Sequence, residues 1–261
     1  MLKAVFSETG TFKKIIDSLK DIASECNIQF DDSGLNFQTM DVSHVALCEC
    51  SINISKFEEY QCEYPVSLGI NFNSLTKLLK CVNPMDKMTM IFKENNRDKL
   101  NFEFVSTNND KISQFEMKLM DIDQEQLGIP DQEYDTIVTM PSSEFQNICN
   151  NLILIDDTVN LTVSKQGISF ESLGELGKAS IQMKCDSKSV EVVMNSDEES
   201  ISSVFALRYF NFFSKATPLS PLVIFRLKPD FPIVVEYHLD TIEEEEDGSY
   251  IKYYLAPKME D

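Results

Sequence analysis

The sequence predicts an α+β protein of two structurally similar domains, each with two helices packed on antiparallel sheet. Two observations carry this prediction. The chain resembles itself when it is shifted by 133 residues, and each half alternates between a helical and a strand-like hydrophobic period. A length of 261 residues also suits two domains of about 130 residues, since domains commonly hold about 100–200.

The internal repeat is carried mainly by apolar positions. A shift of 133 residues pairs Phe12 with Phe145 and Gly34 with Gly167, and it aligns further pairs: Ile15 with Ile148, Leu19 with Leu152, Leu35 with Ile168, and Phe37 with Phe170. With two more residues of shift, the next helix aligns as well: Phe72, Leu75, Leu78 and Lys80 fall on Leu207, Phe210, Phe213 and Lys215. We therefore predict an N-terminal domain at 1–119, a connector at 120–135 and a C-terminal domain at 136–261.

Each half shows the same order of elements. Phe12, Ile15 and Leu19 share one stripe, the spacing of an amphipathic helix, and alternating segments around a turn at Gly34 follow. The four predicted helices span 12–22, 73–81, 142–153 and 206–216. Strands are predicted at 28–30, 35–39, 45–50, 88–92, 100–105 and 112–119, then from the third helix to residue 195, and at 222–227, 233–239 and 250–255.

The connector is acidic and has no usable periodicity, which is typical of an extended linker. It nevertheless contains Leu127, Ile129 and Pro130. Two interpretations stay open. These apolar residues either attach the connector to a domain surface or frame a groove for a partner.

Composition excludes several classes of protein. The chain has 43 acidic and 23 basic residues, a net charge of −20, seven cysteines and two histidines. Glycine-rich nucleotide motifs and the G-x-S-x-G motif are absent. Scattered cysteines in odd number suit a reducing compartment, and no apolar run is long enough to cross a bilayer. We therefore expect a soluble intracellular protein with no catalytic residues, metal site or cofactor, in which Cys48 and Cys50 pack in the core.

The positive charge is concentrated on the predicted helices. Together they carry a net charge of +4, which leaves −24 for the rest of the chain. An ordinary solvated face explains the lysines of any one helix, but three of the four helices share the bias. Basic helix faces attract phosphates without reading sequence, and the aromatic residues lie at core positions, which favours duplex over single-stranded nucleic acid.

Simple geometry relates these helices to a duplex. Twelve helices, each about 10 Å wide, close a ring whose free bore is roughly 28 Å. That bore admits a duplex about 20 Å across. Three chains of four helices supply such a ring, and repeated heterologous contacts must either close in this way or form filaments.

Six ungapped strings are spread along the chain: residues 41–45 (DVSHV), 117–121 (MKLMD), 125–134 (EQLGIPDQEY), 205–209 (FALRY), 211–219 (NFFSKATPL) and 253–258 (YYLAPK). They resemble the proliferating cell nuclear antigen family, the eukaryotic DNA sliding clamps. The resemblance implies the clamp fold, with helices on the inner face and antiparallel sheets outside, assembled as a homotrimeric ring of six domains. It implies a nuclear, non-enzymatic polymerase processivity factor that encircles duplex DNA in replication, repair and translesion synthesis.

The resemblance also implies roles for particular residues. Bore-lining basic positions match Lys13, Lys14, Lys20, Lys77, Lys80, Arg208 and Lys215, with Lys111 near the subunit edge. A partner groove matches Met40, His44, Val45, Leu47, Leu127, Ile129, Pro130, Tyr134, Pro232, Tyr254, Ala256 and Pro257. Subunit contacts match Phe115 and Ile181, and a ubiquitinated lysine matches Lys165. The chain departs from the family at Asn147 and Asn150, where basic residues are usual.

The groove of such clamps receives a short motif built on a glutamine and two aromatic residues. The implied partners are the replicative DNA polymerase, the clamp loader, flap endonuclease and DNA ligase. Two alternatives remain. A subunit of a heterotrimeric checkpoint-type clamp would share the fold, and an enzyme using paired carboxylates would need acidic residues that the fold brings together.

Overall fold

The computed structural model describes residues 1–123, 128, 132–185, 189–195, 199–239 and 248–258. The chain divides into two units. The first comprises Met1–Val42, Cys48–Leu127 and Leu239–Ile251, and the second comprises Ser43–Leu47, Gly128–His238 and Lys252–Asp261. The predicted limits at 119 and 136 stay a prediction.

The first repeat contains, among its described residues, nine strands and two α-helices. The strands are β1 Leu2–Phe6, β2 Glu25–Phe30, β3 Gly34–Met40, β4 Ala46–Asn53, β5 Glu59–Cys62, β6 Val66–Asn71, β7 Lys87–Phe92, β8 Lys99–Val105 and β9 Ile112–Lys118. The helices are α1 Thr9–Leu19 and α2 Phe72–Leu79. Neighbouring strands run in the orders β5-β1-β7-β8-β9 and β4-β3-β2-β6, with antiparallel registers such as Leu2 opposite Phe92.

The second repeat has the same composition in the described part of the chain. Its strands are β10 Thr136–Pro141, β11 Thr158–Ser164, β12 Gly167–Gly174, β13 Gly177–Lys184, β14 Glu191–Met194, β15 Ser200–Ala206, β16 Leu222–Leu227, β17 Ile233–His238 and β18 Tyr250–Leu255. Its helices are α3 Ser142–Leu152 and α4 Leu207–Phe213. Neighbouring strands run in the orders β14-β10-β16-β17-β18 and β13-β12-β11-β15, the same arrangement as in the first repeat.

The predicted α+β class with two similar repeats is confirmed. Helices α1 and α3 begin and end 133 residues apart, the offset that the sequence predicts. The first predicted helix is shifted, because the observed one begins at Thr9, whose hydroxyl donates to the Asp86 carbonyl at 2.7 Å. The fourth ends early, since a 3₁₀ segment containing Pro218 follows it at Ser214–Leu219.

Two equivalent glycines fix the same hairpin in both repeats. Gly34 has φ 137° and Gly167 has φ 143°, a region that residues with a side chain rarely adopt. A Cβ atom would also collide with a backbone oxygen, that of Ile52 in the first repeat and that of Met183 in the second. The backbone conformation therefore explains why glycine recurs at these two equivalent positions.

The amphipathic stripes of the helices face the core. Helix α1 buries Phe12, Ile15, Ile16 and Leu19, and α3 buries Phe145, Ile148 and Leu152. The ring of Phe145 packs edge-on against Phe225 of β16 at a centroid distance of 5.0 Å. The opposite, polar side of each helix is thereby left at the surface. Within the described residues, none of the helices has the length and apolar run that a membrane crossing requires.

Candidate nucleic-acid interface and partner groove

The polar face of the first helix pair carries five lysines. Helices α1 and α2 pack against each other, and Lys14, Lys77 and Lys80 are exposed, whereas Lys13 and Lys20 are half-buried. Lys20 and Lys80 are the C-terminal cap residues of α1 and α2. Cations are favourable at this end of a helix because unpaired carbonyls give it negative character. The position of these two lysines thus has a local structural cause, independent of any role in binding.

Most of the described strand lysines are ion-paired, Lys118 of β9 and Lys184 of β13 being exceptions, whereas most lysines of α1 and α2 are not. On the sheets, Lys3 pairs with Glu59 at 2.6 Å, Lys87 with Glu58 at 2.6 Å, and Lys99 with Glu116 at 2.7 Å. On the helices, Lys20 pairs with Asp17 at 3.0 Å. Four others have no carboxylate oxygen within 4.0 Å among the described residues: Lys13, Lys14, Lys77 and Lys80. Their charge is therefore available to an anion outside the chain.

The second helix pair is less basic. Helix α3 exposes Glu144, Asn147 and Asn150 and has no lysine or arginine. On α4, exposed Arg208 lies over the Tyr209 ring, with its guanidinium carbon 4.8 Å from the ring centroid and one Nη atom donating to the hydroxyl at 3.0 Å. The Lys215 ammonium lies 5.5 Å from the Phe212 centroid. The two repeats share a fold but differ in the charge of this surface.

Lys111 belongs to a different part of the first unit. It follows the turn between β8 and β9, where Asn109 has φ 56° and the Ser106 hydroxyl accepts a hydrogen bond from the Lys111 amide at 3.0 Å. Its side chain is exposed. It is not on the helix face, and its place near a subunit edge stays a prediction.

Phe115 and Ile181 lie in the middle of edge strands. Phe115 is half-buried in β9, opposite Phe102, and Ile181 is half-buried in β13, opposite Phe170. Both strands are terminal in their strand order, so one side of each has no strand partner in the described chain. Such edges carry free backbone donors and acceptors that another chain can use.

Several predicted groove residues come together in the second unit. The Ala256 amide donates to the Val45 carbonyl at 3.0 Å, next to His44, which is exposed and has φ 58°. Tyr254 and Pro257 are half-buried on and after β18. Pro232 is exposed beside Phe231, which keeps 39% of its area in solvent. These residues give the second unit an apolar surface strip.

The remaining groove predictions differ in how far the structure describes them. Met40 and Leu47 are half-buried at the end of β3 and the start of β4. Tyr134 is half-buried, and burial raises the pKa of its hydroxyl while nearby Arg226 opposes this effect. Leu127, Ile129 and Pro130 lie outside the described residues.

Lys165 is exposed in the turn between β11 and β12. The Ser164 hydroxyl donates to the Gln166 side-chain oxygen at 2.9 Å and accepts from the Gln166 amide at 3.3 Å, which holds the turn. The Lys165 amine extends from a fixed turn into solvent, a position open to a modifying enzyme.

Sequence reasoning missed a charged cluster on β16, β17 and β18. The carboxylate of Glu236, whose side chain is 2% exposed, contacts Arg226 at 2.8 Å, His238 at 2.9 Å and Lys252 at 3.5 Å. Burial alone would raise the pKa of Glu236, but these cations and hydrogen bonds lower it to about 2. The signal available in the sequence was the alternation of charged residues at 236 and 238 within an apolar strand.

The cysteines that the sequence assigned to the core are buried. Cys48 and Cys50 are at most 1% exposed, and burial raises the pKa of both thiols. Within the described residues, no group of three or more His, Cys, Asp or Glu side chains is placed to hold a metal ion.

A duplicated α+β domain with paired helices and antiparallel sheets, and with a basic helix face in an acidic chain, has the features expected of a DNA sliding clamp. The model of the family described as proliferating cell nuclear antigen, N-terminal domain, matches residues 1–127, and that of its C-terminal domain matches residues 128–258. The chain therefore belongs to the proliferating cell nuclear antigen family. Clamps of this family are non-enzymatic scaffold proteins.

Proposed function

We propose that this chain is a homotrimeric sliding clamp that encircles duplex DNA in the nucleus. It acts there as a processivity factor for a replicative DNA polymerase and as a platform for repair and translesion proteins. Its two clamp domains are 1–119 and 136–261, joined by the connector 120–135.

The observation that carries this proposal is the clustering of four lysines without a carboxylate partner among the described residues on the adjacent helices α1 and α2: Lys13, Lys14, Lys77 and Lys80. A lysine paired with a carboxylate at about 2.7 Å contributes little net field at longer range, because the opposite charge cancels most of it. Unpaired lysines on adjacent helices add their fields and attract phosphates without reading sequence. A duplex therefore faces the helices, and the acidic remainder of the chain keeps it from the outside.

In this proposal, Lys13, Lys14, Lys20, Lys77 and Lys80 supply most of the attraction to DNA. The second helix pair adds less attraction than the first, because α3 contributes no positive charge and only Arg208 and Lys215 remain. Lys111 acts near the subunit edge. With so few contacts per chain, enclosure rather than affinity keeps the clamp on DNA.

The subunits meet through the edge strands β9 and β13, with Phe115 and Ile181 at the contact. Each edge has free backbone groups and a half-buried apolar side chain. A heterologous pair of edges on each chain closes a ring when three copies complete the rotation.

The strip that includes Val45, Pro232, Tyr254, Ala256 and Pro257 serves as the partner groove. Together with Met40, His44, Leu47, Tyr134 and the connector residues Leu127, Ile129 and Pro130, it receives the glutamine-plus-aromatics motif. The partners are the polymerase, the clamp loader, flap endonuclease and DNA ligase. Lys165 is the position for a covalent modification during damage tolerance.

Sedimentation and DNA topology test the assembly. A homotrimer has a mass of about 90 kDa, three times the 29.8 kDa of the chain. After loading by a clamp loader, the protein should stay on nicked circular DNA and leave when the circle is cut. A stable monomer would instead favour a subunit of a heterotrimeric checkpoint-type clamp. Retention that ignores linearisation would contradict encirclement.

Two triple variants test the helix face at equal charge. Lys14→Ala, Lys77→Ala and Lys80→Ala remove three unpaired lysines, whereas Lys3→Ala, Lys87→Ala and Lys99→Ala remove three paired ones. The helix variant should shorten primer-extension products and lower the salt dependence of DNA binding by about one unit of slope per lysine. The sheet variant should act like the unmodified protein. Equal loss in both would show that overall charge, not the helix face, matters.

A further inference from the structure

The two helix pairs occupy equivalent places in the two repeats. Helices α1 and α3 begin 133 residues apart, and α2 and α4 begin 135 residues apart. Each position on α1 thus has a counterpart on α3, and the positions of α2 have counterparts in and just after α4. The charge of the two helix surfaces can therefore be matched residue by residue.

Three of the four unpaired helix lysines have no basic counterpart in the second repeat. The matched pairs are, in chain order, Lys13 with Gln146, Lys14 with Asn147, Lys77 with Phe212, and Lys80 with Lys215. The counterpart of Thr11 on α1 is Glu144 on α3. A carboxylate therefore stands on α3 where α1 has a hydroxyl, and most of the lysines opposite it in the match are replaced by uncharged side chains.

The polar side chains of α3 are not equally available to a ligand. The Gln146 amide donates to the Ser214 carbonyl at 2.9 Å, at the end of α4, so it is used inside the chain. Asn147 and Asn150 are exposed and make no side-chain hydrogen bond within the described residues. Glu144 is exposed and has no cation within 4.0 Å in the same part of the chain. These last three residues, spaced by three along one side of the helix, are here named the α3 face.

Phosphates respond differently to the two helix surfaces. An ammonium group that reaches a phosphate releases a condensed counterion, and this release supplies essentially all of the non-specific attraction between a protein and DNA. A neutral amide releases no counterion, and a carboxylate repels the phosphate. A phosphate beside the α3 face therefore keeps its counterions and its water, whereas one beside α1 and α2 exchanges them for lysine.

We propose that duplex DNA contacts α1 and α2 of each chain directly and stays separated from the α3 face by a layer of water, so that the α3 face is a surface of low friction for sliding. A bore of roughly 28 Å around a duplex of about 20 Å leaves about 4 Å on each side, enough for such a layer. A duplex that moves past the α3 face has no ion pair to break there. This inference rests on the proposed clamp function and adds which part of the helix surface limits movement along DNA.

Photo-crosslinking at matched positions tests the separation. Benzoylphenylalanine replaces either Thr11 on α1 or its counterpart Glu144 on α3, both of which are exposed, and the full chain is loaded onto nicked circular DNA. Crosslinks to DNA should be about threefold or more as frequent from position 11, because counterion release draws the duplex to the neighbouring lysines. Replacing Glu144 removes a negative charge and so works against this difference. Equal yields, or a higher yield from position 144, would overturn the proposal.

A gain of charge on α3 tests the low friction. Asn147→Lys gives α3 the lysine that α1 has at position 14, and the loaded variant should diffuse along DNA about twofold or more slowly, because each new ion pair must break before the clamp advances. Added salt should reduce the difference. The matched control is Asn195→Lys, an exposed position directly after β14, which should diffuse like the unmodified protein. Equal slowing in both variants, or none in Asn147→Lys, would overturn the proposal.

A variant of constant net charge completes the test. Lys14→Asn with Asn147→Lys moves one lysine from the first repeat to the second, and the crosslinking yield should shift from position 11 toward position 144. An unchanged ratio of yields would contradict the role given to the lysines. Failure of the clamp function is recognised separately, since an unmodified protein that is not retained on circular DNA would overturn both proposals. Retention together with equal crosslinking from the two positions would overturn this inference alone.

Discussion

Replacing Glu236 with glutamine should destabilise the folded chain by about 3 kcal/mol. The carboxylate is held by three cationic or hydrogen-bonding side chains: Arg226 at 2.8 Å, His238 at 2.9 Å and Lys252 at 3.5 Å. Only 2% of the side chain is exposed, so solvent does little to screen these contacts. Glutamine keeps the size of the side chain and removes its charge.

The magnitude follows from the pKa of Glu236. This pKa is about 2 in the folded chain against an ordinary value of 4.5. Each unit of difference corresponds to about 1.4 kcal/mol, which gives about 3 kcal/mol in favour of the charged folded state. Removing one partner of a buried ion pair independently costs about 3–5 kcal/mol, because the other charges remain buried without it.

Calorimetric unfolding at neutral pH measures the effect. A loss of about 3 kcal/mol should lower the melting temperature by roughly 6–12 °C in a chain of this size. The matched control is Glu58→Gln, which breaks the contact to Lys87 at 2.6 Å, where both side chains are about half exposed. An exposed pair of this kind contributes about 0–1 kcal/mol, so the control should melt close to the unmodified protein.

The pH dependence gives a second check. A carboxyl group whose pKa is lowered on folding adds stability above its unfolded pKa and loses it as the pH falls through its folded pKa. The gap between the unmodified protein and Glu236→Gln should shrink as the pH falls between about 4.5 and 2. A gap no larger than that of Glu58→Gln, or one that ignores pH, would refute the reasoning.

Three further predictions concern the backbone, the thiols and the connector. Gly34→Ala and Gly167→Ala should each destabilise the chain by more than about 2 kcal/mol in urea unfolding, because a Cβ atom there meets a carbonyl oxygen at positive φ, whereas Gly128→Ala has open space and should be neutral. N-ethylmaleimide should modify the two exposed thiols first in mass spectra of the folded protein, Cys81 and Cys185, and spare Cys26, where burial raises the pKa to about 12. Labelling of Cys26 at a comparable rate would contradict the burial. Leu127→Ala with Ile129→Ala should weaken a glutamine-plus-aromatics peptide by about one to three decades in calorimetry without changing the trimer mass, and unchanged affinity would mean that these residues only anchor the connector.

The fold could be predicted well where a local pattern sets the structure. The stripe of Phe12, Ile15 and Leu19 predicts a helix because a 3.6-residue period buries one side of it. Strands β1, β5, β6, β10 and β15 were not predicted. Leu2–Phe6 is buried at four of its five positions, so it shows no alternation that would mark it as a strand.

The candidate site was predictable only in part. The sequence located the basic residues on the helices, and the structure confirms those helices. It did not indicate which lysines are paired, because Lys3 meets Glu59 and Lys87 meets Glu58 across the sheet, 56 and 29 residues apart. Nor did it indicate the buried cluster around Glu236, whose three partners come from three strands.

The sequence by itself determined the duplication, the helices and the acidic composition, because these depend on periodicity and residue type along the chain. Tertiary structure alone decided which lysines keep an unneutralised charge, and which strands are edges. Edge positions such as β9, β13 and β6 follow from the strand order, a property of non-local pairing. The interaction energy of two charges likewise falls with the distance between them in space. That distance is set by the fold and not by their separation in the sequence.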